Sequence, residues 1–123
     1  MLRIMAVIFG IGFIFAGVAG FLPTFMPNGL LLGWFEVDSM HNLVHLVSGV
    51  IAIMAATDYV YAKWYFRIFG IIYAMVTIVG FALHGDLSFM MMHMNQADNV
   101  LHLVIAIIAL YLGFFIGRRP IRS

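Results

Sequence analysis

Polar residues are sparse along this chain and gather in bands between long apolar runs. Four runs, at about 4–22, 40–57, 66–83 and 98–117, approach the roughly 20 apolar residues that a helix needs to cross a bilayer. They are too long and too unbroken for membrane barrel strands, which alternate over about ten residues. The pattern predicts an all-α fold, a polytopic membrane four-helix bundle. A single membrane domain would fill residues 1–123, with no separate soluble domain.

The runs are related in pairs. Residues 38–53 read DSMHNLVHLVSGVIAI and residues 95–110 read NQADNVLHLVIAIIAL. At this offset Asn42 meets Asn99, His45 meets His102, and Asp38 meets Asn95. Phe9-Gly10 and Gly20-Phe21 likewise match Phe69-Gly70 and Gly80-Phe81. The chain therefore reads as two tandem helix hairpins with pseudo-twofold symmetry about the membrane normal. Arg3 and the small residues ending the first run would also suit a signal peptide. The match to the third run argues that the first is retained. Gly12, Ala16 and Gly20, and likewise Ala109, Gly113 and Gly117, recur every fourth residue and predict close-packing faces. The same faces could pair two copies into a homo-oligomer.

Composition agrees with the pattern. The chain is 65% hydrophobic and 9% charged, with mean hydropathy +1.11, which places it in the membrane class with the lipid bilayer as its surroundings. Charge sets an expected orientation. Arg3, Lys63, Arg67, Arg118, Arg119 and Arg122 fall on one side, and Glu36, Asp38, Asp86 and Asp98 on the other, with Asp58 joining the basic side. The positive-inside rule then predicts a multi-pass protein of the bacterial inner (cytoplasmic) membrane with both termini cytoplasmic. Tyr59, Tyr61, Trp64 and Tyr65 are expected as an inner aromatic belt and Trp34 as part of an outer one. A net charge of +1 gives no reason to expect nucleic acid, and the absence of Cys excludes thiolate chemistry.

All five histidines fall toward the outer side. His41 and His45 are four residues apart and share a helix face, as do Asp98 and His102. If helices 2 and 4 turn these faces together, three imidazoles and a carboxylate converge. That donor set suits zinc, copper or iron. His41, His45, Asp98 and His102 are the expected metal ligands, with Asn42 and Asn99 behind them orienting the ligands. Each also has a plainer reading. Asp98 would suit the first turn of a helix, His41 an interfacial position, and His45 with His102 an interhelical hydrogen bond. The same pair, His45 and His102, could instead be axial ligands of a b-type haem, with Gly20 and Gly80 leaving room for the flat ring. The run Met90-Met91-Met92-His93-Met94 offers soft donors for copper(I), or adaptable apolar filler. His84 and His93 are auxiliary candidates at most. No Gly-rich phosphate loop, nucleophile elbow or glutamate pair is visible, so no hydrolase is proposed. Whether the chain is an enzyme is left open.

HNLVH at the start of helix 2, ADNVLH at the start of helix 4 and the Gly-Phe ending of helix 1 carry a resemblance. The chain resembles, over essentially its whole length, a family of small bacterial four-helix membrane proteins of unknown function. The resemblance implies the four-helix fold and marks His41, Asn42, His45, Asp98, Asn99 and His102 as the family positions. It brings no activity or cofactor. Three function classes follow. One is an outward-facing His/Asp metal site used for redox or metal handling. The second is haem-based electron transfer. The third is a non-catalytic membrane interaction or assembly protein.

Overall fold

The computed structural model describes residues 1–118. Arg119 and Arg122, counted above for the basic side, lie outside the described residues. The chain forms helices α1 (Leu2–Ala19), α2 (Ser39–Ala55), α3 (Tyr59–Ala82) and α4 (Gln96–Leu110), with a π-helical turn at Tyr111–Phe115 continuing α4. Three helical stretches, Leu2–Ala19, Tyr59–Ala82 and Gln96–Phe115, are long and apolar enough to cross a membrane, and α2 is a shorter apolar helix. Their outward faces carry exposed Ile4, Ile11, Met54, Ile78 and Ile107. An apolar exterior of this kind suggests a membrane protein, because lipid removes the penalty that water would impose.

Each helix buries one stripe at three- and four-residue spacing. On α2 it is His41, His45, Ser48, Ala52 and Ala55; on α4 it is Asp98, His102, Ala106 and Ala109. α1 packs along α2 and α3 along α4, with smaller contacts from α3 to α1 and α2. The first close approach is made by Gly10, Gly17 and Gly49, where an added Cβ would meet the opposing backbone at 2.8–3.0 Å. This revises the expected face on α1: Gly12 has open space around it, and Gly10 and Gly17 take the packing role. On α4, Gly113 lies against the Arg67 backbone as small-residue packing predicts.

The core is layered along the helices. Leu2, Ala6, Ala52, Phe66 and Leu112 fill the end near the basic residues. Phe13, Tyr73 and Ala106 fill the middle. Leu87, Met92 and Met94 close the other end. α3 begins at Tyr59, earlier than the expected 66, because Asp58 caps it by accepting the Val60 N–H. The aromatic band at 59–65 is therefore helix and not connector. Basic side chains close two helix ends. Arg3 Nε donates to the Ala56 carbonyl at 2.8 Å, and Arg67 Nε to the Gly113 carbonyl at 2.8 Å. A cation at a helix C-terminus is favoured by the dipole and satisfies a carbonyl left without an intrahelical donor.

The two connectors at the far end are ordered against each other. Asp86–Leu87 pairs antiparallel with Met92–His93, a short hairpin in the otherwise helical fold. It turns back toward α3 at Gly85, whose φ of +83° favours glycine. A Cβ there would also run into the Met94 carbonyl. The Met-rich run splits accordingly: Met92 and Met94 are buried, Met90 and Met91 exposed.

Candidate metal centre

The first turns of α2 and α4 are fixed by local hydrogen bonds that the sequence dictates. Asp38 Oδ1 accepts the His41 N–H at 2.8 Å. Asn95 Oδ1 accepts the Asp98 N–H at 2.9 Å, and Asp98 Oδ2 accepts the Asn95 N–H at 2.9 Å, which completes a capping box. The connectors then brace the caps across the molecule. Glu36 N–H donates to Asp98 Oδ2 at 3.0 Å, His93 N–H to Asp38 Oδ2 at 2.9 Å, and Asn95 Nδ2 to the Trp34 carbonyl at 2.8 Å. Each helix start is thereby held by the connector belonging to the other helix pair.

These starts place three imidazoles together. The ring centroids of His41 and His45 are 4.4 Å apart, those of His41 and His102 5.4 Å, and those of His45 and His102 5.9 Å. One nitrogen from each ring lies within 4.8 Å of the others. The three residues are 1%, 4% and 2% exposed. All six ring nitrogens are buried without a hydrogen-bond partner. That is a costly state for a polar group, and membrane proteins rarely leave such groups uncompensated unless a function uses them. A metal ion with bonds of about 2.0–2.1 Å sets its nitrogens roughly 3.3 Å apart, so modest side-chain movement would close the trio on one ion. The surroundings hold the rings in place. Phe13 lies 5.7 Å from His45 and Tyr73 5.5 Å from His102, centroid to centroid.

The family model for a domain of unknown function, DUF4383, matches residues 3–115. The chain belongs to the DUF4383 family. No curated protein and no solved structure matches it. The DUF4383 match spans all four helices, so the histidine trio lies wholly inside the matched region.

In this DUF4383 chain the fold unites His41, His45 and His102. Asp98, the fourth expected ligand, is buried, but it does not join that group; its Oδ2 holds the Asn95 and Glu36 N–H groups. Asn42 and Asn99 are buried beside the trio, and their amides pack on glycines. A Cβ at Gly20 would collide with the Asn42 amide, and one at Gly80 with the Asn99 amide. The room expected there for a flat haem ring is therefore filled. His41 also crowds both His45 and His102, so the surroundings do not fit a porphyrin between that pair. His84 and His93 are exposed in the connector between α3 and α4. His93 Nδ1 is 3.8 Å from Asp86 Oδ1, and Ser88 holds the Asp86 carboxyl below the usual carboxylate range, its side chain contributing most.

Sequence reasoning passed over a second polar cluster. Ser48 Oγ and Tyr73 Oη share a hydrogen bond of 3.1 Å, Tyr65 Oη donates to the Ser48 carbonyl at 3.0 Å, and all three residues are buried. The available signal was the i, i+3 spacing of His45 and Ser48 on one helix face.

Proposed function

We propose that this protein is an integral membrane metalloprotein in which His41, His45 and His102 bind one transition-metal ion. Four helices cross the bilayer in two pseudo-symmetric hairpins, and the ion sits near the outer ends of α2 and α4. The observation that carries this reading is the set of six buried ring nitrogens without hydrogen-bond partners, drawn from three rings in mutual contact. Uncharged imidazole is a good ligand for zinc, copper and iron, and metal coordination would satisfy one nitrogen of each ring. Three protein ligands leave a coordination position open, as in reactive metal sites and unlike closed structural ones. Both ligand helices point their N-terminal ends toward the site, which disfavours imidazolium and favours the neutral form that binds metal. The matched Gly20–Asn42 and Gly80–Asn99 contacts support the pseudo-twofold.

The protein would handle or use the metal at the outer face of a bacterial cytoplasmic membrane. The test is metal content per chain after purification in mild detergent without chelators. We expect near-stoichiometric metal in the wild type and about tenfold less in His45→Ala and His102→Ala. Full metal content in both variants would exclude these ligands.

A further inference from the structure

The basic end departs from the repeat at one place. The repeat aligns Arg3 with Lys63 and Ala56 with Gly113. In the first hairpin Arg3 closes a helix end by donating to the Ala56 carbonyl. In the second, the matching Gly113 carbonyl accepts from Arg67 instead, whose counterpart is Val7. Lys63 is thereby released from the helix end, and α3 carries two cations where α1 carries one. The two lie one turn apart and share a ring: Lys63 Nζ is 5.8 Å and Arg67 Cζ 5.0 Å from the centre of Trp64. Arg67 Cζ is also 4.9 Å from the Phe114 ring centre. Phe114 stands on the π-helical turn Tyr111–Phe115, a geometry that the end of α2 lacks and that recurs at functional sites. Among the described residues the one ion pair is His93–Asp86, between α3 and α4, so no carboxylate there balances Lys63 or Arg67.

We propose that Lys63 and Arg67 bind the phosphate of an anionic phospholipid, with Trp64 and Phe114 flanking its headgroup. Two like charges one turn apart oppose each other, and a phosphate between them reverses that cost. Both side chains are held in place for it. The Gly113 carbonyl fixes Arg67 Nε, which leaves the guanidinium oriented with Nη hydrogens to offer. The Lys63 stem lies along Gly117, where an added Cβ would meet Lys63 Cγ at 2.8 Å. A lipid phosphate is favoured over a free one because the surroundings continue as lipid-facing surface. Trp64 and Phe114 are exposed, as are Ile68 and Tyr111 one turn further in, and an acyl chain can cover them while the headgroup meets the cations. A zwitterionic headgroup brings its own cation and gains less. The proposal rests on the membrane placement given above but not on the metal.

Trp64 itself reports on the site. Trp34→Phe removes the other tryptophan from the full chain. This chain is reconstituted into phosphatidylcholine vesicles with a minor share of phosphatidylglycerol, and Trp64 fluorescence is read with a bromine quencher on the acyl chains of one lipid or the other. We expect phosphatidylglycerol to be enriched about tenfold at Trp64, and Lys63→Gln to lower the enrichment about fivefold, the scale of one cation at an anionic surface. Lys63→Arg should keep it. Arg3→Gln, which removes the cation of the other hairpin, should leave it unchanged. Quenching in proportion to the bulk share, or full enrichment in Lys63→Gln, would overturn the proposal. An equal loss in Arg3→Gln would overturn it too, since the effect would then belong to the charge of the whole face. Loss of enrichment on adding millimolar inorganic phosphate would replace the lipid by a soluble phosphate. Absence of quenching by either lipid would instead bring down the membrane placement, so the two failures are distinguishable.

Discussion

Single residues decide the geometry of the centre, and the glycine–asparagine contacts show how. Gly20 and Gly80 each admit an asparagine amide where any larger residue would collide. Gly20→Ala is expected to destabilise the fold by about 1–3 kcal/mol through overpacking. Pairing it with Asn42→Ala should recover part of that loss, a coupling readable as a double-mutant cycle of thermal unfolding in detergent. Additive losses would mean that the two residues do not press on each other. The proposed metal ligands make a separate prediction. Imidazole must be neutral to coordinate, and its ordinary pKa is about 6.5. Bound metal should be retained on dialysis at pH 8 and released as pH falls below about 6, more steeply than one proton would give, because three rings compete with the ion. A pH-independent metal content would exclude a trio of histidine ligands. These histidines were legible in the sequence because His41 and His45 share the four-residue helical spacing and His45 and His102 share the repeat. Ser48 and Tyr73 were not, because the repeat places Ile105 and Phe13 at their counterparts and nothing marks them as a pair.

At the scale of the element, the same acidic residue can start a helix or ligate a metal, and sequence spacing does not choose between them. Asp98 stands at the third position of α4, where a carboxylate is favoured by the helix dipole whatever else it does. In the fold its Oδ2 takes two backbone N–H groups, one from its own cap and one from Glu36. The Glu36 bond was invisible in the sequence, since any residue offers an N–H and only the path of the connector brings this one near. Asp98→Asn keeps an acceptor oxygen and is expected to retain fold and metal. Asp98→Ala should lose about 1–2 kcal/mol, the scale of a missing cap, with metal stoichiometry unchanged. Loss of the ion in Asp98→Asn would make Asp98 a ligand after all. The start of α3 illustrates a related ambiguity. Aromatic residues at 59–65 read as an interfacial band in a connector, but Asp58 caps them into a helix, and Tyr65 turns inward to donate to the buried Ser48 carbonyl. Helix existence was legible from hydrophobic length; helix boundaries depended on caps whose partners lie two or three residues away.

Across the whole molecule, the chain has a basic end and an end that carries the histidine trio, and a bilayer crossed by the helices would lie between them. α2 has 17 residues and a length of about 26 Å at 1.5 Å per residue, slightly short of a hydrocarbon core of about 30 Å. The polar residues at its start, from Glu36 to Ser39, would then lie in the outer headgroup region, with His41 and His45 one to two turns below. This depth fits a centre that is sealed from water yet close to it, as the burial of all three rings requires. Arg3, Lys63 and Arg67 would lie at the opposite interface, where the positive-inside rule puts the cytoplasm. The absence of native cysteine makes the orientation directly measurable. Met91, exposed in the connector between α3 and α4, and Tyr61, exposed near the start of α3, are suitable positions for single cysteines. In intact cells, Met91→Cys should react with a membrane-impermeant maleimide, and Tyr61→Cys should react only after the membrane is opened. The reverse pattern would turn the centre toward the cytoplasm, where a metal site would meet a reducing, tightly buffered metal pool. Labelling of both positions in intact cells would mean that the chain does not separate two compartments, and the four-crossing arrangement would fall with it.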